Sequence, residues 1–419
     1  MLLENYRRAP VTFVAGEGCE LIDDRGERYL DCVGGIAVCA LGHSHPAITA
    51  AVAQQAEKLV HVSNLFGHEP AATLAKELAA RSGFDRVFFC NSGTEANEAA
   101  IKLARKYAHR SGRPDRKTIV SCEGGFHGRT MGALAATANA AYHEGFDPLP
   151  GGFRTTPFND VDALEHAIDD CTAAFIVEPV QGENGVLPGT PEFVRAAREQ
   201  CTHHGALLIF DEVQCGMGRT GPLFAFEHFG VQPDVVTLAK ALANGLPIGA
   251  MLVREAYATG LQPGDHGSTF GGSPVPCAAA LAHLRVRDES ALEAHVATVS
   301  GRFLEGLRNL AQRYPGVYGE PRGMGLLIGV PVAPPHDASS IVDRAREFSG
   351  VLLNKAGGNT IRLAPPLVIS PAQVDRVLET LDAAAAWLVK SSHVSHPAPD
   401  ALEPSTALQS QSRRGAMVK

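Results

Sequence analysis

Residues 206–245 read ALLIFDEVQCGMGRTGPLFAFEHFGVQPDVVTLAKALANG, and the rest of the chain is organised around them. Ala206 to Phe210 is an apolar run of strand length, suited to a strand buried on both faces of a sheet. It stops abruptly at a carboxylate, Asp211. A second run, Val235 to Leu238, stops at Ala239-Lys240. An acid and a lysine, each at the end of a buried strand, sit where a doubly wound sheet places its ligands. A charge there is costly unless it is paired or shifted in pKa. A lysine of lowered pKa is a Schiff-base nucleophile, and a buried acid can hold a protonated pyridine nitrogen; together they point to pyridoxal phosphate.

The same stretch contains two decoys. Gly216 to Gly221 has the spelling GxGxxG, with Asp234 about where a ribose-binding acid would fall. A dinucleotide fingerprint needs its glycines directly between strand end and helix. Here Asp211 to Gln214 intervene and Pro222 follows, so a nicotinamide-dependent oxidoreductase is only a distant alternative. The acidic strand end also resembles that of P-loop ATPases, but the chain has no GxxxxGK[ST].

At 419 residues the chain exceeds one ordinary core, which predicts two domains. With 45% hydrophobic and 20% charged residues it reads as globular, and a net charge of -8 argues against nucleic acid or an anionic membrane as partner. The nine cysteines show no CxxC or paired spacing, predicting reduced thiols in a cytoplasmic setting. No run reaches membrane-spanning length, and the N-terminus MLLENYRRAP has no apolar signal core.

Outward from the central stretch, helix and strand patterns alternate. Val87–Phe89, Thr118–Val120, Ala173–Val177 and Ala250–Val253 are further strand candidates, with helices over Glu95–Tyr107 and Pro191–His203. This alternation predicts an α/β fold whose large domain, residues 47–276, has a mostly parallel sheet flanked by helices. Residues 1–46 predict a small β segment joining the second domain, with a hairpin across Asp23 to Gly26. Residues 277–390 predict a smaller α+β domain: one long helical run to Tyr314, strands at Gly325–Val330 and Thr360–Leu363, and a last helix ending near Lys390. Residues 391–419, rich in Ser, Pro, His and Gln, predict a disordered tail. His43-Ser44-His45 spells HxH, but no further ligand set accompanies it, and His45-Pro46 reads as the approach to a helix.

Asn91-Ser92-Gly93-Thr94-Glu95 follows a strand and opens a helix with S-x-x-E capping spacing. Gly93 lets backbone N–H groups approach a ligand, so this helix start is a candidate phosphate cradle.

SGTEANEAAIKLAR from Ser92, FHGRT from Phe126, EPVQGE from Glu178, DEVQ from Asp211, TLAK from Thr237, HGSTFGG from His266 and IRLAPPL from Ile361 occur in this order. Together they resemble the class III ω-aminotransferases of fold type I, and most closely the acetylornithine aminotransferase branch. The resemblance covers residues 5 to 390 and implies pyridoxal 5'-phosphate as cofactor. It implies that Lys240 is the Schiff-base lysine and proton shuttle, and that Asp211 pairs with the pyridinium. Val213 and Phe126 would cover the ring faces, Gln214 would bond the ring hydroxyl, and Gly93 and Thr94 would hold the phosphate. Ser268 and Thr269 would reach phosphate or substrate from a partner subunit, which implies a homodimer with shared active sites.

Arg129 and Arg362 are the implied substrate arginines, because both donor and acceptor carry carboxylates that Arg binds bidentately. Glu183 would mask Arg362 while the donor is bound by its distal amine. The implied reaction moves the terminal amine of N-acetylornithine to 2-oxoglutarate by a ping-pong route. Ornithine, succinylornithine, carrier-linked lysine and 4-aminobutyrate are alternative donors. Two segments depart from the branch's pattern: Asn184-Gly185 replaces two glycines, and Ser63 to His68 has Gly67 and His68 where an aromatic is frequent.

Overall fold

The chain's apolar runs become strands whose carboxyl ends gather on one edge. The computed structural model describes residues 1–394. Strands β1 (Phe13–Glu17), β2 (Glu20–Asp23) and β3 (Arg28–Asp31) form an antiparallel N-terminal unit. Its β2–β3 turn is held by Asp23, whose Oδ1 accepts the N–H groups of Arg25 and Glu27. The large sheet then takes β4 (Arg86–Cys90), β5 (Thr118–Cys122), β6 (Phe153–Thr156) and β7 (Thr172–Val177). After a short hairpin of β8 (Val180–Gln181) and β9 (Leu187–Pro188) come β10 (Leu207–Asp211), β11 (Val235–Leu238) and β12 (Gly249–Val253).

Across the large sheet the order is β4-β12-β11-β10-β7-β5-β6. Neighbours are parallel except at β12, which is antiparallel to both β11 and β4. Strands β7, β10, β11 and β12 are buried along their whole length, which is why they read as continuous apolar runs. Strand β6, at the sheet's edge, reads Phe-Arg-Thr-Thr and gave no such signal. Helix Gly93–Arg110 starts on Ser92 and helix Pro191–His204 on Thr190, each side chain accepting an N–H of the first turn.

Beyond the sheet, the single helical run expected up to Tyr314 is two helices, Pro274–Glu289 and Leu292–Arg313. The break is at Ala291, which takes φ +49°. Strands β13 (Arg322–Met324), β14 (Leu327–Pro331), β15 (Val351–Leu352), β16 (Asn354–Ala356) and β17 (Thr360–Leu363) follow. Four of them form a sheet in the order β13-β14-β17-β16, whereas β15 pairs in parallel with β3 and so ties the chain's beginning to its C-terminal part. The amphipathic helix Ala338–Ser349 was not foreseen. The last helix runs Pro371–Val394, so residues 391–394 of the expected tail are helical; residues 395–419 lie outside the described part. The 276/277 boundary drawn from the sequence falls within the first turn of helix Pro274–Glu289.

A hydrophobic core runs from Leu30 through Phe210 to Phe303 and Leu381. The Gly216–Gly221 decoy is a buried loop that opens no helix. Its Arg219 is fully buried, and Nη1 donates to the carbonyls of Leu326 at 3.1 Å and Pro365 at 2.5 Å. The Leu326 N–H returns a bond to Arg219 O at 3.0 Å. Approach is close enough that a Cβ on Gly325 would lie 2.6 Å from Thr220 Cα.

Candidate active site

Asp211 closes β10 beside its register partner Thr237 on β11, and Lys240 follows β11 directly. Cys90 at the end of β4 stands opposite Gly249, so the segment after β4 reaches the same edge. The segments after β5 and β7, carrying Phe126 and Glu178, reach it too. A cavity of about 370 Å³ opens there, at the carboxyl ends of the strands. It is lined by Gly93, Thr94, Phe126 and Arg129, and on its other sides by Asp211, Val213, Gln214 and Lys240.

Asp211 is buried and tightly held. Its Oδ2 accepts from Asn97 Nδ2 at 2.7 Å and faces His127 Nδ1 at 2.8 Å; its Oδ1 accepts the Val213 N–H at 3.0 Å. Asn97 also donates to His127 O and accepts from Thr237 Oγ1, both at 2.7 Å, so its amide is fully engaged. Burial works against charge on His127, but the Asp211 hydrogen bond and charge outweigh it and raise the imidazole pKa. Nearby Glu178 accepts the N–H groups of Phe126 and Gly182. Burial, then the Asp211 charge, push its pKa up to about 7 against the pull of His127.

Lys240 takes φ +41°, an unusual value for a residue with a side chain, costing of order 1–3 kcal/mol. Among the described residues its amine has no hydrogen-bond or ion-pair partner. Burial lowers its pKa; Glu183, Glu178 and Asp211 oppose this shift while Arg362 assists it. An unpaired buried amine of this kind is a nucleophile in waiting.

At the start of helix Gly93–Arg110, Ser92 Oγ accepts the Glu95 N–H at 3.4 Å and donates to Glu95 Oε2 at 2.8 Å. Glu95 reaches one residue further back than in a standard capping box, accepting the Asn91 N–H at 3.0 Å. The amides of Gly93 and Thr94 have no intrahelical acceptor, so this end of the cavity is an anion cradle. Gly93 is required for a second reason: a Cβ there would lie 2.6 Å from Val213 Cγ1.

Arg362, on β17, is 1% exposed. Its Nη1 donates to Glu183 Oε1 at 2.5 Å, and to Gly182 O and Gln214 Oε1 at 3.1 Å each. Burial opposes ionisation of Glu183, but Arg362, with help from Lys240 and Gln214, holds its pKa below the usual value. Arg129 differs: its guanidinium lies over the rings of Tyr142 and Phe126 and has no carboxylate partner among the described residues.

The Aminotransferase class-III profile matches residues 3–385. The chain belongs to the class-III aminotransferases. It is 48% identical over 378 residues to the acetylornithine aminotransferase of Clostridium acetobutylicum, covering 90% of this chain and 97% of that one. It is 46% identical over 380 residues to that of Methanocaldococcus jannaschii, covering 91% and 94%. A solved ornithine aminotransferase from Toxoplasma gondii, described with partial occupancy of pyridoxal phosphate at its active site, superposes with TM-score 0.89 at 35% identity, covering 94% of this chain and 93% of that one. The fold is that of the fold type I enzymes, and this class-III aminotransferase is pyridoxal-phosphate dependent. The residues fit that group: an unpaired amine, a restrained carboxylate and an anion cradle border one cavity, with Val213 and Phe126 in its walls.

Eight of the residues expected from the sequence therefore meet in the cavity of the class-III aminotransferase. Glu183 and Arg362 join through Gln214, whose Nε2 donates to Glu183 at 3.3 Å. The Gln214 amide thus bonds to both members of that pair, Oε1 accepting from Arg362 at 3.1 Å. Ser268 and Thr269 do not line this chain's cavity. Ser268 Oγ accepts from Asn91 Nδ2 at 3.1 Å, and Thr269 is exposed on the same loop. Asn97, His127 and Thr237 also join the site, though nothing in the motifs assigns them a role, and so does Glu178 of the EPVQGE motif. Asn97 did carry a signal, an amide on the otherwise apolar face of its helix. In the HxH segment, His43 pairs with Asp31 at 2.8 Å and His45 caps helix Pro46–Lys58.

Proposed function

We propose that the enzyme moves the terminal amine of N-acetylornithine to 2-oxoglutarate, giving a semialdehyde and glutamate by a ping-pong route. One observation carries this reading: Arg362 is masked by Glu183 while Arg129, on the cavity wall, has no carboxylate partner among the described residues. A donor reacting through a distal amine brings methylenes to the reacting centre and its carboxylate elsewhere. An exposed Arg362 would then be an unpaired buried charge, whereas Arg129 is ready for the remote carboxylate. The 46% and 48% identities to acetylornithine aminotransferases support the acetylated donor over its relatives.

Pyridoxal phosphate, when bound, supplies the carbonyl that takes up the amine and a ring that accepts electrons from the adjacent carbon. Lys240 Nζ would hold it covalently and, once displaced by the donor, carry the proton from the donor's amine-bearing carbon. Asp211, restrained by Asn97 and His127, would pair with the protonated ring nitrogen. Gly93 and Thr94 would receive the phosphate at the helix start. Val213 and Phe126 would cover the two ring faces. Gln214 remains a candidate for the ring hydroxyl in addition to its bond with Arg362. In the acceptor half-reaction Glu183 would swing away and leave Arg362 to the 2-oxoglutarate carboxylate.

The reading includes a homodimer in which Ser268 and Thr269 serve the partner's site. Their loop lies outside this chain's cavity, and beside it Phe270, Leu65 and Phe66 are 62%, 85% and 67% exposed. No described helix is long and apolar enough to cross a membrane, and the nine cysteines are free, in keeping with a reducing compartment such as the cytoplasm. A donor panel against 2-oxoglutarate with aldehyde detection tests the assignment. The expected order places N-acetylornithine first; preference for ornithine, succinylornithine or 4-aminobutyrate would overturn it.

A further inference from the structure

The Arg129 guanidinium carbon lies 3.8 Å from the centroid of the Tyr142 ring and 5.4 Å from that of Phe126. The two rings meet edge to face, 6.1 Å apart at 87°. Stacking occupies the face of the guanidinium plane and leaves its N–H donors, which point outward from the plane's rim, available for a carboxylate. Among the described residues only the backbone of Arg129 is hydrogen-bonded, its N–H to Thr94 Oγ1 at 3.1 Å. The short helix that carries Tyr142, Ala140–His143, is itself pinned: Asn139 Oδ1 accepts the Ala141 N–H at 3.1 Å. His143 Nε2 lies 2.9 Å from Leu134 O and 2.7 Å from Thr137 O. An otherwise unanchored arginine is thus held in place by a ring whose own backbone is fixed.

We infer that Tyr142 is a positioning residue that aims Arg129 at the donor's remote carboxylate and so sets the preference for carboxylate-bearing amines. The inference rests on the donor-carboxylate role proposed for Arg129. Pre-ordering that side chain spares the loss of its rotamer freedom when the donor binds. 2-Oxoglutarate carries two carboxylates and Arg362 takes only the one beside the keto carbon, so the control independent of Tyr142 is a donor that carries no carboxylate.

The test compares wild type with Tyr142→Leu, which keeps apolar bulk without a ring, Tyr142→Phe, which keeps the ring, and Arg129→Met. The probe is N-acetylnorvaline, the donor without its terminal amine, titrated by calorimetry. Donor half-reactions are followed through the visible absorbance of the bound cofactor, with N-acetylputrescine as a donor lacking the carboxylate. Tyr142→Leu is expected to weaken N-acetylnorvaline and slow N-acetylornithine about five- to tenfold. Tyr142→Phe should restore both, and N-acetylputrescine should change less than about twofold. If Arg129→Met leaves N-acetylnorvaline binding intact, the proposed role of Arg129 fails. If Arg129→Met weakens it but Tyr142→Leu does not, the inference about Tyr142 fails alone. Equal losses in the Leu and Phe variants, or an equal loss with N-acetylputrescine, would reduce Tyr142 to packing and overturn it as well.

Discussion

Arg362 and Glu183 meet through a single guanidinium hydrogen bond of 2.5 Å, with Gln214 touching both partners. Removing Glu183 leaves Arg362 free in both half-reactions. In Glu183→Ala, donors that react at an α-amine, such as glutamate, should gain on N-acetylornithine by about tenfold or more, the scale of a ~1–3 kcal/mol unmet bond. The ratio of the two half-reaction rates, from loss of the cofactor's visible absorbance in single turnovers, measures this. An unchanged ratio would make Glu183 structural.

Asp211→Asn keeps the shape of the carboxylate but cannot balance a protonated ring nitrogen. Cofactor should stay bound while turnover falls about a hundredfold or more. Asn97→Ala should behave differently. It strips partners from Thr237 Oγ1 and Asp211 Oδ2, so unfolding stability should drop by ~1–3 kcal/mol with a smaller loss of turnover. Denaturant melts and steady-state rates on the two variants separate these roles.

Burial lowers the Lys240 pKa, so its amine becomes nucleophilic at lower pH than a free lysine with its pKa of ~10.4. Covalent uptake of pyridoxal phosphate by the apoenzyme should therefore accelerate with pH to a midpoint below that value. Lys240→Ala should take up cofactor that borohydride cannot fix to the chain, with turnover lower by several orders of magnitude. A midpoint at or above that of free lysine would count against the buried-amine account.

His43 is raised from 6.5 to about 9, first by its hydrogen bond to Asp31 and then by Cys39, against desolvation. A raised histidine pKa stabilises the fold in full below about pH 6.5, and this contribution is lost as pH climbs through about 9. Melting temperatures of wild type and His43→Gln should differ most near pH 6 and converge above pH ~9.5. A gap that widens with rising pH would reverse the sign and refute the pairing.

The apolar runs were legible because β10, β11 and β12 are buried on both faces, and burial of that kind erases alternation. The edge strand Phe153–Thr156 was not legible, since an edge needs no apolar run. Ala291 interrupts a helix with no glycine or proline to announce it; the sequence there reads Asp-Glu-Ser-Ala. In the site, single residues at strand ends could be read, but their mutual bonds could not. Asn97 and Asp211 are 114 positions apart, and only the sheet's register brings them to 2.7 Å. Ser268 and Thr269 were foreseen as belonging to another subunit's site, and one chain alone leaves them outside its own cavity.

Arg219 makes the protein indivisible at the place where the sequence suggested a seam. A gene cut between residues 276 and 277 would give the first fragment a buried cation and the second fragment the two carbonyls, of Leu326 and Pro365, that receive its protons. Losing hydrogen bonds made by a charged donor costs ~1.5–3 kcal/mol each, a sizeable share of a typical domain's stability. The first fragment would also keep β3 without its neighbour β15. Neither piece is a module that recombination could trade with a distant relative. Exchange would succeed only where donor and recipient agree on the cation in the loop and on the backbone that meets it.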